Sequence, residues 1–307
     1  MRILYLTQSF SDLSQTFVYD RALALQQRGH DVHVATLKRR LAQERPFDKV
    51  VVLKKTAGPH RFLSSLHQDG LARLKMLLGD QQAVPLSATE ATYLDDLRAL
   101  VERIQPNYIH AEFGRMGVLA SHLASASRPL VVFMHGYDIT ALPKSTAWQR
   151  RYTKLWRDEV TILTPSEFMR QKVIALGASP QQVVVQQNGI DLATWSCSDP
   201  GSRYAGKVCF LFVGRLISKK GPRELVMAFA RLRQLAPEVD AELTLCGSGS
   251  LEKELRRDID RLGLKEIVHL RGAVSSAEVR RAMTQAHIMA QHSVETASGD
   301  MEGLPVS

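Results

Sequence analysis

The apolar positions of this chain gather into short runs that alternate with stretches of helical spacing. Ile3–Thr7, His30–Leu37, Tyr108–Ala111, Leu130–Met134, Val160–Thr164 and Val183–Val185 are short runs carrying Val, Ile, Leu, Phe or Tyr with few charges. Such short apolar runs are expected of strands buried on both faces of a parallel sheet. Between them, residues 15–28, 115–125 and 166–176 repeat apolar side chains every three or four positions, the period of an amphipathic helix. A polar segment holding Ser, Pro and Gly follows at 192–206, and the alternation then resumes. Strands are predicted at 208–213, 241–246, 267–270 and 287–291, and helices at 222–235, 250–262 and 276–285. This predicts an α/β fold with two Rossmann-like domains, residues 1–191 and 207–307, joined by a linker at 192–206 and facing a common cleft. The second domain supplies about four strands before the sequence ends inside Glu302-Gly303-Leu304-Pro305-Val306-Ser307, so it reads as incomplete and the chain as C-terminally truncated. Residues 38–92 read as irregular and charge-rich, except that leucines recur at roughly helical spacing over 60–78, interleaved with Arg61, Arg73 and Lys75.

Composition changes this picture little. Hydrophobic residues make up 45% and charged residues 23%, as in ordinary globular proteins. No apolar run approaches the ~20 residues of a membrane-spanning helix, and the opening run is too short for a signal peptide. Cys197, Cys209 and Cys246 lack metal or CxxC spacing, which suits free thiols in a reducing cytoplasm. Charge is more telling. Residues 1–190 hold 24 Lys+Arg against 16 Asp+Glu, whereas 191–307 hold 16 against 15. The basic excess sits in the first half without any nucleic-acid module, so an anionic membrane or lipid-phosphate partner ranks first and no nucleic-acid partner is assigned. The 60–78 segment would lie on such a membrane, or else be a core helix with a basic face.

The candidate chemistry lies at strand ends. Val213-Gly214-Arg215-Leu216-Ile217-Ser218-Lys219-Lys220-Gly221 leaves the carboxyl end of a strand and meets a helix start, where backbone N–H groups and the helix dipole favour an anion. Arg215 offers a planar fork and Lys220 a point charge for phosphate oxygens. The bland alternative is a surface ion-pair cluster with Glu224. Gly247-Ser248-Gly249 follows the next strand and either lets a ligand approach the backbone or makes an ordinary turn. His135, on the carboxyl edge of strand 130–134, either donates to a sugar or phosphate oxygen or is structural. Asp300 and Glu302, beside Gly303, can accept from sugar hydroxyls or form a solvated loop. Asp258-Ile259-Asp260 has metal-like spacing but sits among Arg256, Arg257 and Arg261, which helical pairing explains better. No metal is assigned.

Together these motifs resemble the retaining, two-Rossmann-domain (GT-B) glycosyltransferases of family 4. The carriers are NGID at 188–191, VGRLISKKG at 213–221, LCGSG at 245–249 and GDMEGLPV at 299–306. SQTF at 14–17, RGHDVHVATL at 28–37, HAEFG at 110–114 and HGYDIT at 135–140 are similar to the bacterial exopolysaccharide and colanic-acid-type members. The resemblance implies that Arg215 and Lys220 hold the diphosphate of a nucleotide sugar, that Glu302 contacts the donor sugar and that His135 faces it. It sets Gly214, Gly247, Gly249, Gly303 and Asn188 on the donor side, and Ser14, Thr16 and Asp138 on the acceptor side. Gln15 and Glu112 depart from the subfamily's usual SETF and HAHFG, and the second glutamate of the family's EX7E pair would fall at position 310. The implied activity is hexosyl transfer from a nucleotide diphosphate sugar, as co-substrate and without other cofactor, to a polysaccharide or lipid-linked acceptor. The implied location is the cytoplasm, peripherally at the inner face of the plasma membrane. A non-catalytic sugar-nucleotide-binding remnant and a GT-B nucleotide-sugar epimerase are the alternatives.

Overall fold

A computed structural model describes residues 1–12, 15–53, 86–195, 199, 201 and 206–306. They divide into two compact units, Met1–Ile190 and Asp191–Ser307. Ser14, Cys197 and the leucine-bearing segment 60–78 lie outside the described residues.

Unit 1 is built on seven parallel strands: β1 (Arg2–Phe10), β2 (Asp31–Arg39), β3 (Val50–Val52), β4 (Tyr108–Glu112), β5 (Leu130–Phe133), β6 (Val160–Thr164) and β7 (Val183–Val185). They are ordered β3-β2-β1-β4-β5-β6-β7, so the chain reverses its direction of growth between β1 and β4, and the edge above those two strands is the topological switch point. Strand alternation sorts the core. Ile3 and Tyr5 pack with Val32 and Val34 against Val18 and Ala22 of α1 (Thr16–Gln27).

The expected strands are present, several longer or shorter than read. Helix α2 (Ala88–Ile104) was not expected. Its start is a complete capping box, Glu90 N–H donating to Ser87 Oγ at 3.2 Å and Ser87 N–H to Glu90 Oε2 at 2.8 Å. The expected helix 115–125 is the shorter α3 (Gly114–Ala120). It lies so close to its neighbours that a Cβ on Gly117 would stand 2.5 Å from Val132. Also beyond the sequence reading are β3 and two short helices, α4 (Gly136–Thr140) and α5 (Thr146–Tyr152). Helix α6 (Glu167–Ala175) completes the unit's α-helices among the described residues.

Unit 2 repeats the scheme in half. Strands β8 (Lys207–Val213), β9 (Asp240–Cys246), β10 (Val268–Gly272) and β11 (Ile288–Met289) form a parallel sheet ordered β10-β9-β8-β11. Helices α7 (Pro222–Leu235), α8 (Glu252–Arg261) and α9 (Ser276–Gln285) connect them. Its switch point lies between β8 and β11. Phe212, Leu243 and Leu245 of the sheet are enclosed by Val226 and Phe229 of α7 and Leu255 and Ile259 of α8. Among the described residues no helix is long and apolar enough to cross a membrane. Leu243 is fully buried at the middle of this small core. Leu243→Ala is therefore expected to cost about 2–5 kcal/mol, read as a fall in the urea midpoint of unfolding.

Candidate functional site

In unit 2 the backbone is fastened before any side chain is placed. Gly214 N–H donates to the Cys246 carbonyl at 3.0 Å, Leu216 N–H to Ser248 at 2.9 Å, and Leu251 N–H back to Leu216 at 3.0 Å. The loops after β8 and β9 are thus joined main chain to main chain. A Cβ on Gly247 would come within 1.8 Å of the Gly214 carbonyl oxygen, and one on Gly249 within 2.3 Å of that of Leu216. Of the two roles the sequence leaves open for these glycines, the approach seen here is of backbone to backbone. Beyond Leu216, Ser218–Lys220 makes a single 3-10 turn. Gly221 then takes the left-handed conformation (φ +63°), and Pro222 opens α7.

This turn presents adjacent lysines to the segment that follows β11, across the switch point. Lys219, buried, pairs with Asp300 at 3.2 Å, and Lys220 pairs with Glu302 at 3.1 Å. Burial pushes the Lys220 ammonium below its usual range; the Glu302 carboxylate opposes this, while Lys219 and Arg215 add to it. The partner of Lys220 is therefore Glu302 rather than the Glu224 of the bland reading, and no local spacing marks the Lys219–Asp300 pair. Arg215 is exposed, and no carboxylate among the described residues forms an ion pair with it. Gly303 follows Glu302 directly. Asp258 bonds Arg223 at 2.8 Å and Arg261 at 2.9 Å, the helical pairing expected of it in part.

In unit 1 the polar residues converge on Glu112, the last residue of β4. Its side chain has no solvent exposure. Oε1 accepts from the Tyr5 hydroxyl, from Arg21 Nη1 and from His110 Nε2 at 3.2 Å, and Oε2 accepts from His135 Nε2 at 3.0 Å. Burial alone would raise the Glu112 carboxyl. The Arg21 guanidinium, followed by the histidine hydrogen bonds, outweighs it and holds the group well below the ordinary carboxylate range. Burial raises the Tyr5 hydroxyl well above its usual value, so it stays protonated and donates, and burial lowers His110 toward the neutral ring. Arg21 lies 4.1 Å over the Phe133 ring and gives Nη2 to Asn188 Oδ1 at 2.6 Å.

His135 follows β5 as expected. Of its two ring nitrogens, Nε2 is hydrogen-bonded to Glu112 Oε2. Asp138, read as an acceptor-side residue, is buried and accepts from the His135 peptide N–H at 3.1 Å. This caps α4 from the protein interior. Thr16 opens α1. Sequence reasoning marks Glu112 only as a departure from a motif.

Two tandem parallel sheets of Rossmann order, each gathering charged groups at its switch point, are the build of a GT-B glycosyltransferase. Residues 14–189 match the glycosyl transferase 4-like domain and residues 198–307 match glycosyl transferases group 1; the chain belongs to this glycosyltransferase family. It is 26% identical over 331 residues to a protein of Salmonella typhimurium named as a colanic acid biosynthesis glycosyltransferase, WcaL, covering 100% of this chain and 79% of the relative. It is 29% identical over 199 residues to the amylovoran biosynthesis glycosyltransferase AmsK of Erwinia amylovora, covering 64% of this chain and 48% of AmsK. HepE of Anabaena, solved in complex with UDP-glucose, shares the fold at a TM-score of 0.68 and 19% identity, over 95% of this chain and 74% of HepE.

The turn geometry makes one position testable without substrate. A Cβ at residue 221 would lie 1.6 Å from the His292 carbonyl oxygen, in a left-handed conformation. Gly221→Ala should cost more than the ~1 kcal/mol expected from backbone preference alone, measured by chemical denaturation. A neutral result would remove the requirement for glycine there.

Proposed function

We propose that this glycosyltransferase moves a hexose from a nucleotide diphosphate sugar to a growing, lipid-linked oligosaccharide in exopolysaccharide synthesis, with retention of configuration. The observation that carries the reading is the cationic turn after β8. Arg215 stands exposed with no carboxylate ion-pair partner among the described residues, and Lys220 meets Glu302 across the switch point, where open α/β sheets bind ligands. The start of α7 adds the positive end of a helix dipole. The exopolysaccharide setting is supported by the names of WcaL and AmsK, and a uridine diphosphate sugar by the HepE complex.

The nucleoside diphosphate is a good leaving group, so the main demand on the protein is to stabilise the charge it gains as the sugar becomes oxocarbenium-like. Arg215 and Lys220 supply that stabilisation. Glu302, released from Lys220, accepts from a donor-sugar hydroxyl, with Gly303 leaving space for the ring. A double displacement through a protein carboxylate gains no support from Glu112, which is sealed and ion-paired. Attack by the acceptor on the face that the diphosphate leaves gives retention, with a diphosphate oxygen taking the acceptor's proton. Ser14 and Thr16 belong to the acceptor side in this reading. The basic excess of residues 1–190 suits an anionic membrane surface at the cytoplasmic face, where a lipid-linked acceptor would be presented.

The reading is tested by offering UDP-, GDP- and ADP-hexoses with lipid-linked acceptor and following nucleoside diphosphate release and the anomeric configuration of the product. Arg215→Ala and Lys220→Ala should each lower turnover by ~100-fold or more, the scale for loss of a charge-stabilising donor; near-wild-type rates in both would remove the clamp. Glu302→Gln should separate binding from chemistry. Freeing Lys220 from its carboxylate should raise UDP affinity by roughly threefold, the size of a modest ion pair, while transfer falls. Weaker UDP binding, measured by calorimetry, would contradict the exchange of Lys220 from Glu302 to phosphate.

A further inference from the structure

Glu112 brings together residues that the sequence scatters. Tyr5 comes from β1, Arg21 from α1, His110 from within β4 and His135 from the turn after β5, while Arg21 reaches on to Asn188 beyond β7. An ionised carboxylate can only accept hydrogen bonds, so the proton between Glu112 and His135 belongs to His135 Nε2. In a neutral ring that leaves the lone pair on Nδ1. Three phenyl rings bound the imidazole: Phe133 stacked at 4.6 Å, Phe17 at 4.8 Å and Phe113 at 4.9 Å between centroids. The Phe133 ring that stacks on His135 also lies beneath the Arg21 guanidinium. Ring orientation and tautomer are therefore fixed by one carboxylate and its aromatic surround.

We propose that Glu112 is a positioning residue of the transfer site: charge-balanced by Arg21, it locks His135 in the Nε2–H tautomer and, through Arg21, holds Asn188 on the same sheet edge. This rests on the reading of His135 and Asn188 as donor-side residues. Its consequence is chemical. The N–H of His135 is committed to the protein and is not given to the leaving diphosphate or to a sugar oxygen, so His135 shapes the site and does not serve as an acid.

The tautomer is read directly in the full chain by 15N NMR of histidine side chains, with the His135 signal identified by its loss in His135→Gln. Wild type is expected to show Nε2 protonated. Glu112→Gln presents an amide that both donates and accepts, and should relax this to a mixture of tautomers. An Nδ1–H wild type, or a tautomer unmoved by Glu112→Gln, overturns the proposal whatever the turnover.

With UDP-glucose as probe, Glu112→Gln should lower kcat for UDP release by on the order of 100-fold, the cost of a misplaced site residue, with KM moving far less. His135→Gln keeps an amide donor at the reach of Nε2 and should retain more turnover than His135→Asn; the reverse order overturns the lock. Because Glu112→Gln strands the Arg21 charge, it is paired with the double variant Arg21→Gln/Glu112→Gln, which removes both charges. The double variant should fold and stay slow, and full turnover in it overturns the proposal. Absence of nucleoside diphosphate release from every sugar nucleotide in wild type would sink the proposed function instead, while the NMR result would still judge the lock.

Discussion

An ionised carboxylate out of reach of water is stable only if the fold surrounds it with donors and a countercharge, and unit 1 is arranged to do this for Glu112. The requirement reaches far. Strand β1 must place a tyrosine hydroxyl level with the end of β4, and α1 must turn Arg21 toward the sheet. The chain after β5 must leave with a histidine whose ring faces back over Phe133. Each of these elements also has an ordinary packing reason to be where it is. Tyr5, for example, belongs to the apolar cluster beneath α1 and extends only its hydroxyl to the charge. Packing and electrostatics thus point to one arrangement, which favours a single native geometry at the sheet edge.

Unit 2 meets the same problem with the opposite sign. Two adjacent lysines are drawn into a turn at the switch point, and each is given an acid from the segment after β11. The partly enclosed Lys220–Glu302 pair differs from the Glu112 cluster in one respect. It is a single ion pair, whereas the Glu112 carboxylate is held by four donors.

Much of this was legible in the sequence because it is local. Apolar runs such as Leu130–Phe133 and Phe210–Phe212 mark buried strands by themselves, and the Arg215–Gly221 motif shows its strand-to-helix setting within a few residues. Helix α2 was equally local: Ser87 and Glu90 form a capping box and Leu94, Leu97, Val101 and Ile104 line one face. Its cap lies inside the charge-rich sequence of residues 38–92, which reads as irregular and hides the start of the periodicity. What could not be read was long-range. Lys219 and Asp300 are 81 residues apart, and Tyr5 and Glu112 are 107 apart. No spacing rule joins such partners; only the strand order does, by placing β1 beside β4 and β8 beside β11.

The main-chain bonds that fasten residues 214–216 to 246–251 have an entropic consequence. A loop left slack would have to be ordered by its ligand, at a cost of about 1–2 kcal/mol for every residue fixed. Here the strand ends, the left-handed Gly221 and the proline that opens α7 have already fixed the backbone path before any ligand arrives. Were an anion to settle on that turn, it would have side chains to orient and little chain to order, leaving more of its interaction energy for discriminating the transition state from the ground state.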